Sequence, residues 1–167
     1  MKILQLCCFT NLWGPTHTVE SIDIKSGRNV LKLPRNYGQN FDLVVAAPPC
    51  TQFTKANSPH WLGYPIQDIE IAQACFDLCR STRGFWFLEN PPGRIENFLP
   101  ALTQFRVLTW AGSQTNKEYI LYSNFLIMNM YVQRYGKKSI ARSKAIREEW
   151  QPDLIETIKL NIHHCAL

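Results

Sequence analysis

The sequence predicts an α/β domain in which a mostly parallel sheet carries helices on both faces. Short apolar runs of the kind that form buried strands recur at regular intervals, and stretches with helical spacing lie between them. Two of the runs also stop abruptly at proline-rich polar turns. Strand–helix–strand order favours right-handed crossovers and so parallel neighbours. Open sheets of this type bind ligands beyond the C-terminal ends of their strands.

In chain order, residues Lys2–Cys8 read as a first buried strand and Val19–Ile24 as a second, with Asn29–Leu33 as a short third. Phe41–Ala47 is a strongly apolar strand stopped by Pro48-Pro49. Pro65–Ser81 has helical spacing. Ile69, Ala72, Phe76 and Cys79 share one stripe, and Asp68 and Glu70 sit in the first turn, where the helix dipole favours acids. Phe85–Leu88 is another buried strand, ended by Asn90-Pro91-Pro92-Gly93. Arg106–Trp110 and Tyr119–Tyr122 are late strands, and Ser143–Asn161 forms one or two terminal helices broken or restarted at Pro152. No repeat, low-complexity tract or linker interrupts the series, so residues 1–167 read as a single domain.

Composition narrows the class. The 167 residues are 46% hydrophobic and 12% aromatic, enough to bury a core. No apolar run approaches the ~18 residues that span a bilayer. The start, Met1-Lys2-Ile3-Leu4-Gln5-Leu6, reads as a strand and not as an export signal. The expected location is therefore the cytoplasm. A net charge of +5 suits a polyanion partner such as nucleic acid, although a soluble protein that is merely basic is equally compatible with it. Six cysteines (Cys7, Cys8, Cys50, Cys75, Cys79 and Cys165) follow no secreted disulfide spacing and are expected as free thiols.

Two strand ends carry chemistry. Cys50 follows two prolines, which fix φ, remove two backbone donors and make a stiff mount for a nucleophile. Residues 51–61, polar with a few aromatics, follow it, and His60 and Trp61 are placed at the pocket entrance. Glu89 follows Phe85-Trp86-Phe87-Leu88, where partial desolvation is expected to raise a carboxyl pKa and let it donate a proton near neutrality. One helix separates the motifs, so their strands are expected to be neighbours. A thiolate and a carboxyl facing one planar ring suit substitution at C5 of a pyrimidine. Addition of the thiolate at C6 makes C5 nucleophilic, and the carboxyl at N3 relieves the charge that addition builds. A cysteine at a strand end is otherwise a small buried hydrophobe.

Phe41–Cys50 and Phe85–Pro92 resemble the Pro-Cys and Glu-Asn motifs of the DNA cytosine-C5 methyltransferases, and residues 42–124 follow that family's order. The resemblance is greatest to the short, phage-type members. It implies a Rossmann-like, S-adenosylmethionine-dependent methyltransferase fold with a seven-stranded or slightly reduced sheet, acting on DNA by base flipping. It makes Cys50 and Glu89 the catalytic pair. Pro49, Asn90, Gln114 and Lys117 fall to the substrate side, with Asn90 helping to hold the two loops. Phe9, Asp23 and Pro48 fall to the cofactor side, Phe9 stacking on an adenine and Asp23 meeting ribose hydroxyls.

Three departures from the family qualify that implication. Leu6-Cys7-Cys8-Phe9-Thr10-Asn11-Leu12-Trp13-Gly14-Pro15 stands where the family has a glycine-rich turn and a first helix. Asn116 and Glu118 stand where it has arginines, with Lys117 between them. Between Asn124 and Ser143 there is no room for a recognition domain, only a connection holding Arg134, Lys137 and Lys138, which can touch phosphate but not read bases. Three readings follow. The first is a compact cytosine-C5 methyltransferase, with or without a protein partner for recognition. The second is a C5-pyrimidine enzyme with another cofactor or a nucleotide substrate. The third is a methyltransferase-like protein that binds nucleic acid or a partner without catalysis. Cys75 and Cys79, one helical turn apart, and the C-terminal His163-His164-Cys165 are better read as core packing and tail than as metal ligands, and no structural zinc is expected.

Overall fold

A computed structural model of the chain describes residues 1–8, 13, 15–51, 53, 67–91, 93–111, 118–125, 158, 159 and 162. Six strands form one sheet: β1 (Lys2–Leu6), β2 (Thr18–Ile22), β3 (Leu43–Ala46), β4 (Phe85–Asn90), β5 (Arg106–Ala111) and β6 (Glu118–Ser123), in the spatial order β2-β1-β3-β4-β6-β5. The first four pair in parallel, whereas β6 runs antiparallel to both β4 and β5. The predicted mostly parallel α/β class is thus found, built here on six described strands. Helix α1 (Gln67–Ser81) links β3 to β4, and a short helix α2 (Ile95–Phe98) precedes β5.

Alternation along the strands sends side chains to two cores. Leu4, Leu6, Val44, Ala46, Trp86, Leu88, Ile120 and Tyr122 share one face with Ala72, Cys75, Phe76 and Cys79 of α1. Three of the four stripe residues predicted for that helix are therefore buried, and Ile69 packs half-buried at the margin. Ile3, Leu43, Val45, Phe87 and Leu121 face the other way, onto Trp13, Phe125 and the helical residues Ile158 and Ile162. Of the residues predicted for the terminal helices, Ile158 and Lys159 are described and helical, and the others lie outside the described set.

Two expectations need correction. Asn29–Leu33 is not a strand. The Asn29 side chain accepts the Leu31 N–H at 2.9 Å, and this bond closes a 3-10 turn over Val30–Lys32. The second strand likewise stops at Ile22, because Asp23 caps a 3-10 turn over Ile24–Ser26. Among the described residues, no helix is long and apolar enough to cross a membrane.

Candidate active site at the strand ends

The chain passes from β1 to β2 on one side and then to β3 on the other. The crevice beyond the C-terminal ends of β1 and β3 is therefore the switch point where ligands of open α/β sheets bind. The ladder of β1 ends level on both sides. The Leu6 carbonyl accepts from Ala47 N–H at 3.0 Å, and Cys7 N–H donates to the Ile22 carbonyl at 2.8 Å. Cys7 then turns the chain with φ at +55°, a left-handed conformation that costs a residue with a Cβ about 1 kcal/mol. This sharp turn at a position without glycine was invisible in the sequence.

Pro48, Pro49 and Cys50 leave the end of β3. Pro48 is buried, while Pro49 and Cys50 are half-buried. The turn after the cysteine closes through Phe53 N–H donating to the Cys50 carbonyl at 2.9 Å. Phe53 is fully buried and packs against the ring of Phe98 in α2, with centroids 5.7 Å apart. Its carbonyl also accepts from Arg94 N–H at 2.7 Å.

β4 runs two residues past the predicted Phe85–Leu88, so that Glu89 and Asn90 are its last residues and Asn90 does not belong to the exit. Strand β6 extends the ladder that far, pairing Leu121 with Glu89 and Ile120 with Asn90. Glu89 is consequently only 5% exposed and Asn90 not at all. Parallel pairing of Ala46 with Leu88 sets the two motifs side by side, and Asn90 Nδ2 donates to the Pro48 carbonyl at 3.3 Å. Asn90 Oδ1 has no hydrogen-bond partner among the described residues. Alternation puts Asn90 on the α1 side of the sheet and Glu89 on the opposite side, with Phe87.

The Glu89 carboxylate is felt at the end of β1. Burial pushes the Cys8 thiol well up from its ordinary range, and Cys7, Glu89 and Asp23 add to the rise in that order. Cys8 Sγ lies 3.1 Å from the Leu6 carbonyl. The buried Gln5 Nε2, one strand pitch back, reaches the Cys8 carbonyl at 3.5 Å. Gln5, a polar residue inside an apolar run, is a contributor that sequence reasoning missed, and its position in such a run was the signal that could have found it. Asp23, expected at the cofactor, stands at the end of β2 with Oδ1 committed to the Lys25 N–H at 2.8 Å. One of its carboxylate oxygens therefore serves the backbone.

The structure brings Pro48, Pro49, Cys50, Glu89 and Asn90 to two adjacent strand ends and Asp23 to the same edge. Phe9, Gln114 and Lys117, together with His60, Trp61, Arg134, Lys137 and Lys138, lie outside the described residues. Cys75 and Cys79 are core residues whose thiols are pushed up. A hydrogen bond with Cys7 and then burial act on Cys75, and burial acts on Cys79.

No protein-family model matches the chain, and no curated protein matches it. Among solved structures it is similar to the methyltransferase EhMeth of Entamoeba histolytica, with a TM-score of 0.51 and 12% sequence identity over 83% of this chain and 57% of that one. The likeness is one of fold. The chain spans little more than half the length of that methyltransferase.

Proposed function

We propose that the chain is a C5-pyrimidine methyltransferase-like enzyme that acts on cytosine in DNA through a covalent bond from Cys50 to C6. The observation that carries the reading is the parallel pairing of β3 with β4. It sets Pro48-Pro49-Cys50 beside Glu89-Asn90 at the ligand edge, tied by the Asn90 to Pro48 bond. The fold shared with a methyltransferase supports the reaction class, and the net charge of +5 supports a polyanionic substrate. On this reading the six described strands belong to the seven-stranded methyltransferase sheet.

Each residue has a defined task. The Cys50 thiolate adds to C6, forming an S–C6 bond and pushing electrons toward N3 and C5. Glu89 holds a proton against N3, so that no full charge develops on the ring. Loss of the C5 proton to a base and breakage of the S–C6 bond then restore the ring and release the thiolate, and the N3 proton returns to Glu89. S-adenosylmethionine, when bound, supplies the methyl group that C5 takes.

The donor set at the edge fits such a group. Asp23 has a second carboxylate oxygen beyond its cap, and the turn at Cys7, Asp23 and Pro48 stand at the ends of three adjacent strands.

DNA carrying 5-fluorocytosine tests the proposal, because fluorine at C5 cannot leave as a proton and the adduct persists. With S-adenosylmethionine present, mass spectrometry should find a stable protein–DNA adduct on the peptide holding Cys50, and none in Cys50→Ala. Adducts on a fluorinated nucleotide but not on DNA would move the substrate to the free pyrimidine. Absence of adduct with either substrate, in a folded protein, would leave a binding protein.

A further inference from the structure

A second pair of sulfurs lies apart from the proposed chemistry. Cys7 Sγ and Cys75 Sγ are 3.8 Å apart, although 68 positions separate them in sequence. Cys7 is half-buried at the left-handed turn after β1, and Cys75 is buried on the inner side of α1. The two other thiols near them are differently placed. Cys8 is buried on the opposite face of the sheet with its sulfur on the Leu6 carbonyl, and Cys79 is buried one helical turn further along α1. Only Cys7 of these four is open to a reagent, and Cys75 is the sulfur it touches.

We propose that Cys7 and Cys75 form a reversible dithiol–disulfide couple, a modification site for small disulfide oxidants of the glutathione type that staples the ligand-edge turn to α1. A shift of less than 2 Å closes the gap to a bond of about 2.05 Å. The electron count closes in two exchanges. The Cys7 thiolate attacks one sulfur of the small disulfide, forming a mixed disulfide and releasing one small thiolate. The Cys75 thiol attacks the Cys7 sulfur as its proton passes to the departing small thiolate, forming the internal bond and releasing the second small thiol. In sum, two protein thiols are oxidised and one small disulfide is reduced to two thiols. The couple does not depend on the methyltransferase reading, because neither sulfur takes part in the chemistry at Cys50.

The test uses the whole chain, folded, incubated with oxidised glutathione, alkylated, and digested with trypsin without reduction. The expected product joins the peptide of residues 3–25 to that of residues 56–80, two hydrogens lighter than the sum, and disappears on adding dithiothreitol. It should persist in Cys8→Ser and Cys79→Ser and vanish in Cys7→Ser and Cys75→Ser. The proposal is overturned if the joined peptides survive in Cys7→Ser or Cys75→Ser, or form only after urea is added. It is equally overturned if the folded wild type stops at a glutathione adduct on Cys7 or joins residues 3–25 to the peptide carrying Cys50.

Discussion

Replacing Asn90 by alanine probes the tie between the two proposed catalytic strand ends. Asn90 is fully buried, and its Nδ2 donates to the Pro48 carbonyl. Truncation removes a hydrogen bond with a net value of about 1 kcal/mol and leaves the buried carbonyl without that donor. It also opens a small cavity that costs several tenths of a kcal/mol more. A 3.3 Å bond stands at the weak end of its class, so about 2 kcal/mol is expected in all, or a fall of roughly 4–8 °C in Tm for a domain of this size. The same loss frees the Cys50 turn from β4. The rate of adduct formation with 5-fluorocytosine DNA should therefore drop well below what the folded fraction accounts for. Circular dichroism melts and the adduct assay, run side by side at a temperature where both proteins are folded, read the two effects. If Asn90→Ala melts within about 1 °C of the wild type and forms adduct at the same rate, the Asn90 to Pro48 bond anchors nothing and the reasoning fails.

Further predictions concern the frame around the site. In Gly84→Ala the new Cβ would lie 2.0 Å from the Asp42 carbonyl oxygen, where β3 and β4 begin to pair, so loss of about 3 kcal/mol or more is expected. A urea midpoint equal to that of the wild type would show the backbone there to be soft. At Glu20, burial pushes the pKa up, but the bonds from Tyr37 and Arg28 outweigh it and hold the carboxyl below its ordinary 4.5. With the folded value depressed, the stabilisation is full above 4.5 and is lost as pH falls through the folded value. Wild type should thus lose more stability than Glu20→Gln between about pH 5 and pH 3, and superimposable pH curves would contradict the assignment. Tyr122 donates to Glu96 Oε1 at 2.9 Å, so Tyr122→Phe should cost about 1 kcal/mol in chemical denaturation. An unchanged midpoint would mean that the Arg106 ion pair at 3.7 Å holds Glu96 by itself.

The strands were legible in the sequence because burial on both faces writes itself as unbroken apolar runs, and Leu43–Ala46 and Phe85–Leu88 are such runs. The stripe on α1 was legible from its period, and the adjacency of the two motifs followed from one intervening helix. What misled was local side-chain competition. Asn29 bonds to the backbone two residues on and turns Val30-Leu31-Lys32 into a 3-10 turn. Partial desolvation of Glu89 was legible from its strand-end position, but its near-complete burial was not, since that depends on β6 returning from far along the chain to pair beside it. The left-handed Cys7 and its contact with Cys75 are likewise products of tertiary packing that no local pattern encodes.

The insertion of β6 between β4 and β5 has a mechanical consequence. Glu89 pairs with Leu121 of β6 on one flank and stands one residue past the last rung between β3 and β4 on the other. Cys50 lies past the last rung of β3, on a turn stiffened by two prolines and closed by the Phe53 N–H on the Cys50 carbonyl at 2.9 Å. A reaction run by this pair would have both reagents anchored, one by a ladder and the other by a closed turn. The spacing of the two mounts would then decide which rings fit between them.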